Sequence, residues 1–427
     1  MKILITGSGG REHALAWRLA RDIGKENIYI APGNAGTDSC GTNLPCSYND
    51  FEKLQEYIIS LSIDMLVVGP EEPLVNGFTD LLKKDTRFSK LMIIGPSAQG
   101  AMLEGSKDFA KQFMIRHGIP TAAYATFTSE QKTEAQSYIR SHSGPYVMKA
   151  DGLAAGKGVV ITESADEAVN HIASVFDENI FGEAGKTLVI EQFLEGIEMS
   201  VFALTDGNNY VLLPGAKDYK RIGDGNTGPN TGGMGTVSPV PFATKEFMDK
   251  VVTRVVEPTI SGLQKDNIDY CGFVFFGLMN VKGDPYVIEY NVRMGDPETQ
   301  VVMPRIGDSF AEMLKAASTG NLKDYHTETL PMTALSIVLA SKGYPGSYEK
   351  GKAISLPEGD HLIFHAGTAA SNNQTVTSGG RVMAVVGTGN TIDEARKAAY
   401  NLAERVHFEG KTNRSDIGLD LMEYESI

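Results

Sequence analysis

Apolar residues along this chain fall into short unbroken runs, separated by glycine turns and by stretches where they recur every three or four positions. Lys2-Ile3-Leu4-Ile5-Thr6 is such a run and predicts a strand buried on both faces. Gly7-Ser8-Gly9-Gly10-Arg11-Glu12-His13 follows, then a helical pattern through Leu15, Trp17 and Leu19. Further strands are predicted at Asn27 to Ile30, Asp64 to Val68 and Met92 to Ile94. Strand, glycine turn and helix in this order predict a doubly wound α/β domain with a parallel sheet. Leu103 to Phe109 opens a predicted helix that runs to His117, where Gly118-Ile119-Pro120 stops it. Residues 121 to 190 alternate strands and helices, including a hairpin formed by Tyr146-Val147-Met148 and Val159-Val160-Ile161. Residues 214 to 241 hold seven glycines and four prolines and predict a long irregular loop, of the functional kind. An apolar strand at Cys271 to Asn280 turns at Lys282-Gly283-Asp284-Pro285 into Tyr286 to Asn291. From Met332 a smaller α/β unit is predicted, with strands at Ala334 to Leu339, Ile363 to Thr368 and Arg381 to Val386, and a helix at Ile392 to Val406.

Composition narrows the classes. A length of 427 residues suggests about three domains at roughly 150 residues each. Hydrophobic content of 42% and charged content of 22% allow packed cores. The net charge of −14 excludes a general nucleic-acid surface, although a local basic cleft for phosphates is still compatible. Cys40, Cys46 and Cys271 form neither a disulfide framework nor a zinc spacing, which fits a reducing cytoplasm. No apolar run approaches the roughly 18 residues of a membrane helix.

The chemistry concentrates in a few stretches. Lys149-Ala150-Asp151-Gly152-Leu153-Ala154-Ala155-Gly156-Lys157-Gly158 joins the two hairpin strands. Its glycines allow close approach and can aim N–H groups at anionic oxygens, with a lysine on either side; a lysine-flanked surface hairpin is the plainer reading. Walker A spacing is absent, as are the kinase signatures. The Gly9-Gly10-Arg11 turn offers an anion site at a helix N-terminus. Glu12 stands where the third dinucleotide glycine belongs, and no acidic residue follows Ile30, so a phosphate monoester suits Arg11 better than a dinucleotide. Glu71, just past a strand end, is a candidate for sugar hydroxyls or an ordinary turn carboxylate. Lys107 at a helix start opposes the helix dipole, which favours a functional reason. Glu191 and Phe193 would share a strand face, with Glu198 across the Gly196 turn. Alternation places Val287, Glu289 and Asn291 on one face, and a carboxylate and an amide oxygen there suit a divalent ion held jointly with phosphates. His365 in an apolar strand reads as structural.

The segments GSGGREHALAW, VVGPEEPL, LEGSKDFAK, KADGLAAGKGVV, IEQFLEG, KRIGDGNTGPNTGGMG, IEYNVRMGDPETQ and FHAGT with SGGRV occur in order over nearly the whole chain. Together they resemble the phosphoribosylamine–glycine ligase (glycinamide ribonucleotide synthetase) family of the ATP-grasp superfamily. Tyr290, Met294 and Lys217-Asp218-Tyr219 depart slightly from the family pattern, and Leu278 stands where many ATP-grasp enzymes carry a further acidic metal ligand.

The resemblance implies an N-terminal domain over 1–101, an ATP-grasp domain over 102–120 and 191–325, a lid over 121–190 and a C-terminal domain over 326–427. It implies ATP bound by Lys107, Lys149, Lys157, Glu191, Phe193 and Glu198, with Mg²⁺ or Mn²⁺ on Glu289 and Asn291. Phosphoribosylamine and glycine would meet Gly9, Gly10, Arg11, Glu71, Asn230, Thr231, Gly232 and Asp296, with Arg293, Asp218 and Lys149 as the catalytic groups. The expected product is glycinamide ribonucleotide, made through glycyl phosphate by a cytoplasmic monomer without nucleic-acid or membrane partners. A bicarbonate-using ATP-grasp ligase and a nucleotide-binding regulator are the alternatives from other classes.

Overall fold

The computed structural model describes residues 1–153 and 158–425. The first sheet has five parallel strands in the order Thr42–Asn43, Ile28–Pro32, Ile3–Gly7, Met65–Val68, Met92–Ile94. Ile3 to Gly7 is buried throughout, as a central parallel strand flanked by helices must be. Helix Gly10–Ile23 starts directly from this strand through the glycine turn, which points its N-terminus at the carboxyl end of the sheet.

A second sheet carries most of the remainder. Its path runs Asp284–Asn291, Gly272–Val281, Ile197–Thr205, Tyr210–Asp218, Gly235–Ser238, Thr333–Ser341, Arg381–Gly389, Ile363–His365, and Lys411–Thr412 pairs with Thr333–Ser341. The strands expected to form a separate C-terminal unit therefore extend the central sheet. Gly235–Ser238 makes the join, pairing Tyr210–Asp218 on one side and Thr333–Ser341 on the other. One apolar cluster runs from Ile3, Ile5, Leu15 and Leu19 of the first domain to Phe273, Val301 and Phe310 of the second, so the two share a core.

The lid is a four-stranded antiparallel sheet in the order Tyr124–Thr128, Thr187–Gln192, Tyr146–Ala150, Val159–Thr162, with its own apolar cluster around Met148, Ile172 and Ile190. The separate cluster makes it a distinct packing unit. Its chain crossings to the central sheet are stitched by Val287 N–H to Pro120 O at 2.8 Å and Gln192 N–H to Ala123 O at 2.8 Å.

Three local expectations are corrected. The helix expected from Leu103 begins at Lys107. Ser106 caps it, its hydroxyl accepting from Phe109 N–H, and Ala98–Gly105 is a separate helix. The 214–241 stretch is largely β: Tyr210–Asp218 runs into it, Arg221–Gly223 and Thr227–Asn230 form a ribbon, and Gly235–Ser238 enters the sheet. Gly225 and Gly228 hold φ of 66° and 78°, so glycine density here serves tight turning of a paired ribbon. The third correction concerns the strand expected to carry the metal ligands, where a bulge breaks the alternation. Gly277 pairs Glu289 while Leu278 pairs Val287, leaving Ile288 as the extra residue. Val287 and Tyr290 consequently lie in one apolar cluster with Phe276 and Leu278, on the face opposite Glu289.

Candidate active site

Lys149 lies on an inner strand of the lid, almost fully buried. Its ammonium is 2.8 Å from Glu191 Oε1 and donates to the carbonyl of Ile288 at 3.2 Å. It thus faces the bulge of the Asp284–Asn291 strand. Lys107 Nζ donates to Gly152 O at 3.0 Å, across the lid loop. The unfavourable placement of Lys107 in the helix dipole is offset by Asp151, whose carboxylate accepts from Ser106 and from the N–H groups of Lys107 and Asp108. Burial depresses the Lys107 ammonium, against the pull of Asp151. Lys157 lies outside the described residues. Phe193 is exposed just beyond the strand end, so it does not share the buried strand face of Glu191.

Beneath the lid, Glu289 and Asn291 project on the face shared with Gly277 and Phe275, as their register requires. Lys220 stands between Glu198 at 3.2 Å and Glu289 at 3.4 Å. Lys220 holds the Glu289 carboxyl below its ordinary range, against burial. Asp218 and Glu298 behave oppositely, because burial raises both and each repels a neighbouring carboxylate. Among the described residues no group of three His, Cys, Asp or Glu side chains is arranged to hold a metal by itself. One carboxylate and one amide oxygen are hard donors and fit a divalent cation completed by phosphate oxygens. Leu278 is wholly buried in the core below the sheet, so an acidic residue there would not face Glu289.

Arg293 follows just beyond the strand. Its Nε donates to Glu71 at 3.2 Å and its Nη2 to Glu104 at 2.5 Å. It thereby ties the end of the Asp284–Asn291 strand to Glu71 and to Glu104 of the Ala98–Gly105 helix. Burial pushes the Glu104 carboxyl up to about 7 despite Arg293. Burial also opposes ionisation of Glu71, but Arg293 and Arg11 outweigh it and hold that carboxyl down.

At the other end of the cleft, Gly9 caps the Gly10–Ile23 helix, and Glu12 accepts from Gly9 N–H at 2.6 Å. Arg11 is buried, donating to Glu12 and to Met294 O at 3.2 Å, while its backbone N–H approaches Asp296 Oδ2 at 3.4 Å. A Cβ at Gly10 would stand 2.4 Å from Gln300 Nε2, so the GDPETQ turn packs directly on this helix start. Asp296 is lowered by Arg381 and Arg11 against burial. Arg381 donates to the carbonyls of Gly232 and Asp296 at 2.6 and 2.7 Å. Thr231 donates to Lys220 O at 2.8 Å and Asn230 pairs with Arg221 in the ribbon, so both lie behind the Lys220 cluster.

Sequence reasoning missed Lys111, Glu104, Lys220, Glu298 and Arg381. Each lies inside a stretch singled out above, in LEGSKDFAK, KRIGDG, GDPETQ or SGGRV. Nothing in their spacing distinguishes them, because their roles depend on partners mostly far off in the chain, as with Ser200 to Glu298 (98 positions) and Arg293 to Glu104 (189 positions).

A small lid sheet carrying Lys149, set over a larger sheet that carries the Glu289–Asn291 carboxylate–amide pair, is the arrangement of an ATP-grasp ligase. Family models for phosphoribosylglycinamide synthetase match in all three parts: the N domain over residues 1–104, the ATP-grasp (A) domain over 105–299 and the C domain over 334–420. The phosphoribosylamine–glycine ligase of Vibrio cholerae is 44% identical over 425 residues, 98% of each chain. That of Chlorobaculum tepidum is 45% identical over 428 residues, covering 98% of this chain and 99% of the relative. The crystal structure of the Thermotoga maritima phosphoribosylamine–glycine ligase superposes with a TM-score of 0.84 at 41% identity, over 98% of this chain and all of the other. The chain belongs to the phosphoribosylamine–glycine ligase family of purine biosynthesis. The biotin carboxylase domain of the Hydrogenobacter thermophilus 2-oxoglutarate carboxylase shares the fold, with a TM-score of 0.72 at 17% identity.

Proposed function

We propose that this chain ligates glycine to 5-phosphoribosylamine at the expense of ATP, through glycyl phosphate. The observation that carries the reading is Arg293, which follows the strand that Lys149 contacts at Ile288 O, and whose guanidinium is held by Glu71 and Glu104. A fixed planar fork there suits a carboxylate that must approach a phosphoryl group. ATP would lie under the lid with Lys149, Lys107 and Lys157 on its phosphates and with Phe193 and Glu198 near the nucleoside; Glu191 acts there through Lys149. Glu289 and Asn291 would hold Mg²⁺ or Mn²⁺, which supplies charge neutralisation to the phosphates when bound. The glycine carboxylate oxygen attacks the γ-phosphorus and ADP leaves. The amine nitrogen of phosphoribosylamine then attacks the acyl carbon, phosphate leaves, and the amine proton passes to a base, a role that falls to the half-buried Asp218 in this reading.

Gly9, Gly10 and Arg11 would take the sugar phosphate, Glu71 the ribose hydroxyls, and Asn230, Thr231, Gly232 and Asp296 the wall between sugar and glycine. No protein nucleophile is needed; alignment and charge neutralisation carry the reaction. No helix among the described residues is long and apolar enough to cross a membrane, and action as a cytoplasmic monomer on small molecules is part of the proposal. The test is phosphate release with ATP, glycine and phosphoribosylamine generated in situ, omitting each in turn. Release must require all three. Release that persists without glycine, or that bicarbonate supports in its place, refutes the assignment.

A further inference from the structure

The helix Lys107–Arg116 carries a second lysine one turn after Lys107, and the proposed chemistry does not use it. Lys111 is 2% exposed, among the most completely buried charged groups of the chain. Its ammonium lies 2.9 Å from Glu191 Oε2 and donates to Thr121 Oγ1 at 2.7 Å. The Thr121 hydroxyl in turn donates to Val287 O at 2.7 Å. The other oxygen of the same carboxylate, Glu191 Oε1, faces Lys149 at 2.8 Å but has no aligned hydrogen-bond donor. Thr121 and Glu191 are the two places where the chain crosses between the central sheet and the lid. One buried carboxylate is therefore shared by two lysines at the root of the lid, Lys149 also donating to Ile288 O and Lys111 anchored on Thr121.

Two cations and one anion leave one positive charge over. Where that charge resides decides how strongly Lys149 attracts phosphate. With Lys111 holding Oε2 and anchored on Thr121, Glu191 cannot turn both oxygens to Lys149, and Lys149 keeps charge to offer. Burial opposes ionisation of Glu191, but Lys149 and Lys111 together outweigh it, so the carboxylate stays charged. If Lys111 were neutral, the buried carboxylate would have a single partner and would hold it fully, because an unpaired buried charge is costly.

We propose that Lys111 is a positioning residue for ATP binding: by engaging Glu191 and Thr121 at the lid root, it keeps Lys149 from being neutralised by its own carboxylate partner. The inference rests on the reading of Lys149 as a phosphate ligand. It assigns Glu191 to the lysine pair, with no direct side-chain contact to nucleotide.

Calorimetry with a non-hydrolysable ATP analogue and Mg²⁺ tests this on the full chain, with thermal unfolding recorded for every variant. Lys111→Met should weaken the analogue about tenfold or more, the scale of one charge-assisted contact, while the KM for glycine stays within twofold. The double variant Lys111→Met/Glu191→Gln should recover most of that loss, since the competing carboxylate is gone. A purely structural role for Lys111 would lower the unfolding midpoint without changing the analogue affinity of the folded protein, and that result overturns the proposal. So does a double variant that binds more weakly than Lys111→Met, which would place Glu191 on the nucleotide itself. Glu191→Gln alone keeps the test decisive if Lys111→Met does not fold, because analogue binding at least as tight as wild type is expected and clearly weaker binding refutes the proposal. Failure of Lys149→Ala to weaken the analogue would instead remove the underlying reading of the phosphate site.

Discussion

Gly277 offers a sharp test of how the bulged strand positions Glu289. Because of the bulge, Gly277 pairs Glu289 directly. A Cβ at position 277 would stand 2.8 Å from Glu289 Cγ and 3.4 Å from Phe275 Cε1. Ordinary carbon–carbon contact is about 3.5–4.0 Å, so in Gly277→Ala the Glu289 side chain must retreat by roughly 1 Å. Moving into a strained rotamer costs about 0.5–1.5 kcal/mol, which the fold can absorb. Displacing an aligned group by about 1 Å costs on the order of 100-fold in function. Gly277→Ala should therefore unfold close to the wild-type temperature but need about 10- to 100-fold more Mg²⁺ for half-maximal phosphate release. Gly185→Ala is the control, since a methyl there meets nothing nearer than 3.4 Å. An unchanged Mg²⁺ requirement in folded Gly277→Ala would refute the placement of the metal on Glu289.

The division of labour on the same strand is separable. Glu289→Gln should raise the Mg²⁺ requirement and be partly rescued by excess metal, whereas Arg293→Lys should lose turnover at a near-normal requirement, because one ammonium cannot span both Glu71 and Glu104 as the guanidinium does; rescue of Arg293→Lys by metal would move Arg293 into the metal shell. Calorimetry should detect ribose 5-phosphate and no NAD at the N-terminal turn, and tight NAD binding would sink the reading of Glu12 and Arg11. Acid stability should report the His13–His365 pair, which burial pushes down to about 3 and about 4, His365 adding to the effect on His13. Both stay neutral in the folded chain while the unfolded chain protonates below about 6.5, so their contribution is complete above that pH and lost as pH falls toward 4, at about 1.4 kcal/mol per pH unit per histidine. Thermal unfolding of His13→Gln between pH 6 and 4 should show a shallower decline than wild type, and parallel profiles would contradict it.

The sequence by itself determined the strand–turn–helix opening, since a fully apolar run before glycines can hardly be anything but a buried parallel strand. It also determined the lid hairpin, the long final helix, and the stretches on which the cleft is built. These are local properties of pattern and turn chemistry. The bulge at Ile288 was not legible: alternation over Val287, Glu289 and Asn291 looks unbroken along the chain, and only pairing with Gly277 and Leu278 reveals the extra residue. The ribbon within 214–241 was hidden for the same reason, as its glycines signal turning but its strands exist only through their partners. The merging of the C-terminal strands into the central sheet depends on the edge that Gly235–Ser238 presents. Charge partnership was the least visible of all. Glu191 lies 80 positions from Lys111 and 42 from Lys149 by its number, and what it does was decided when burial brought the three together and made each charge answerable to the others.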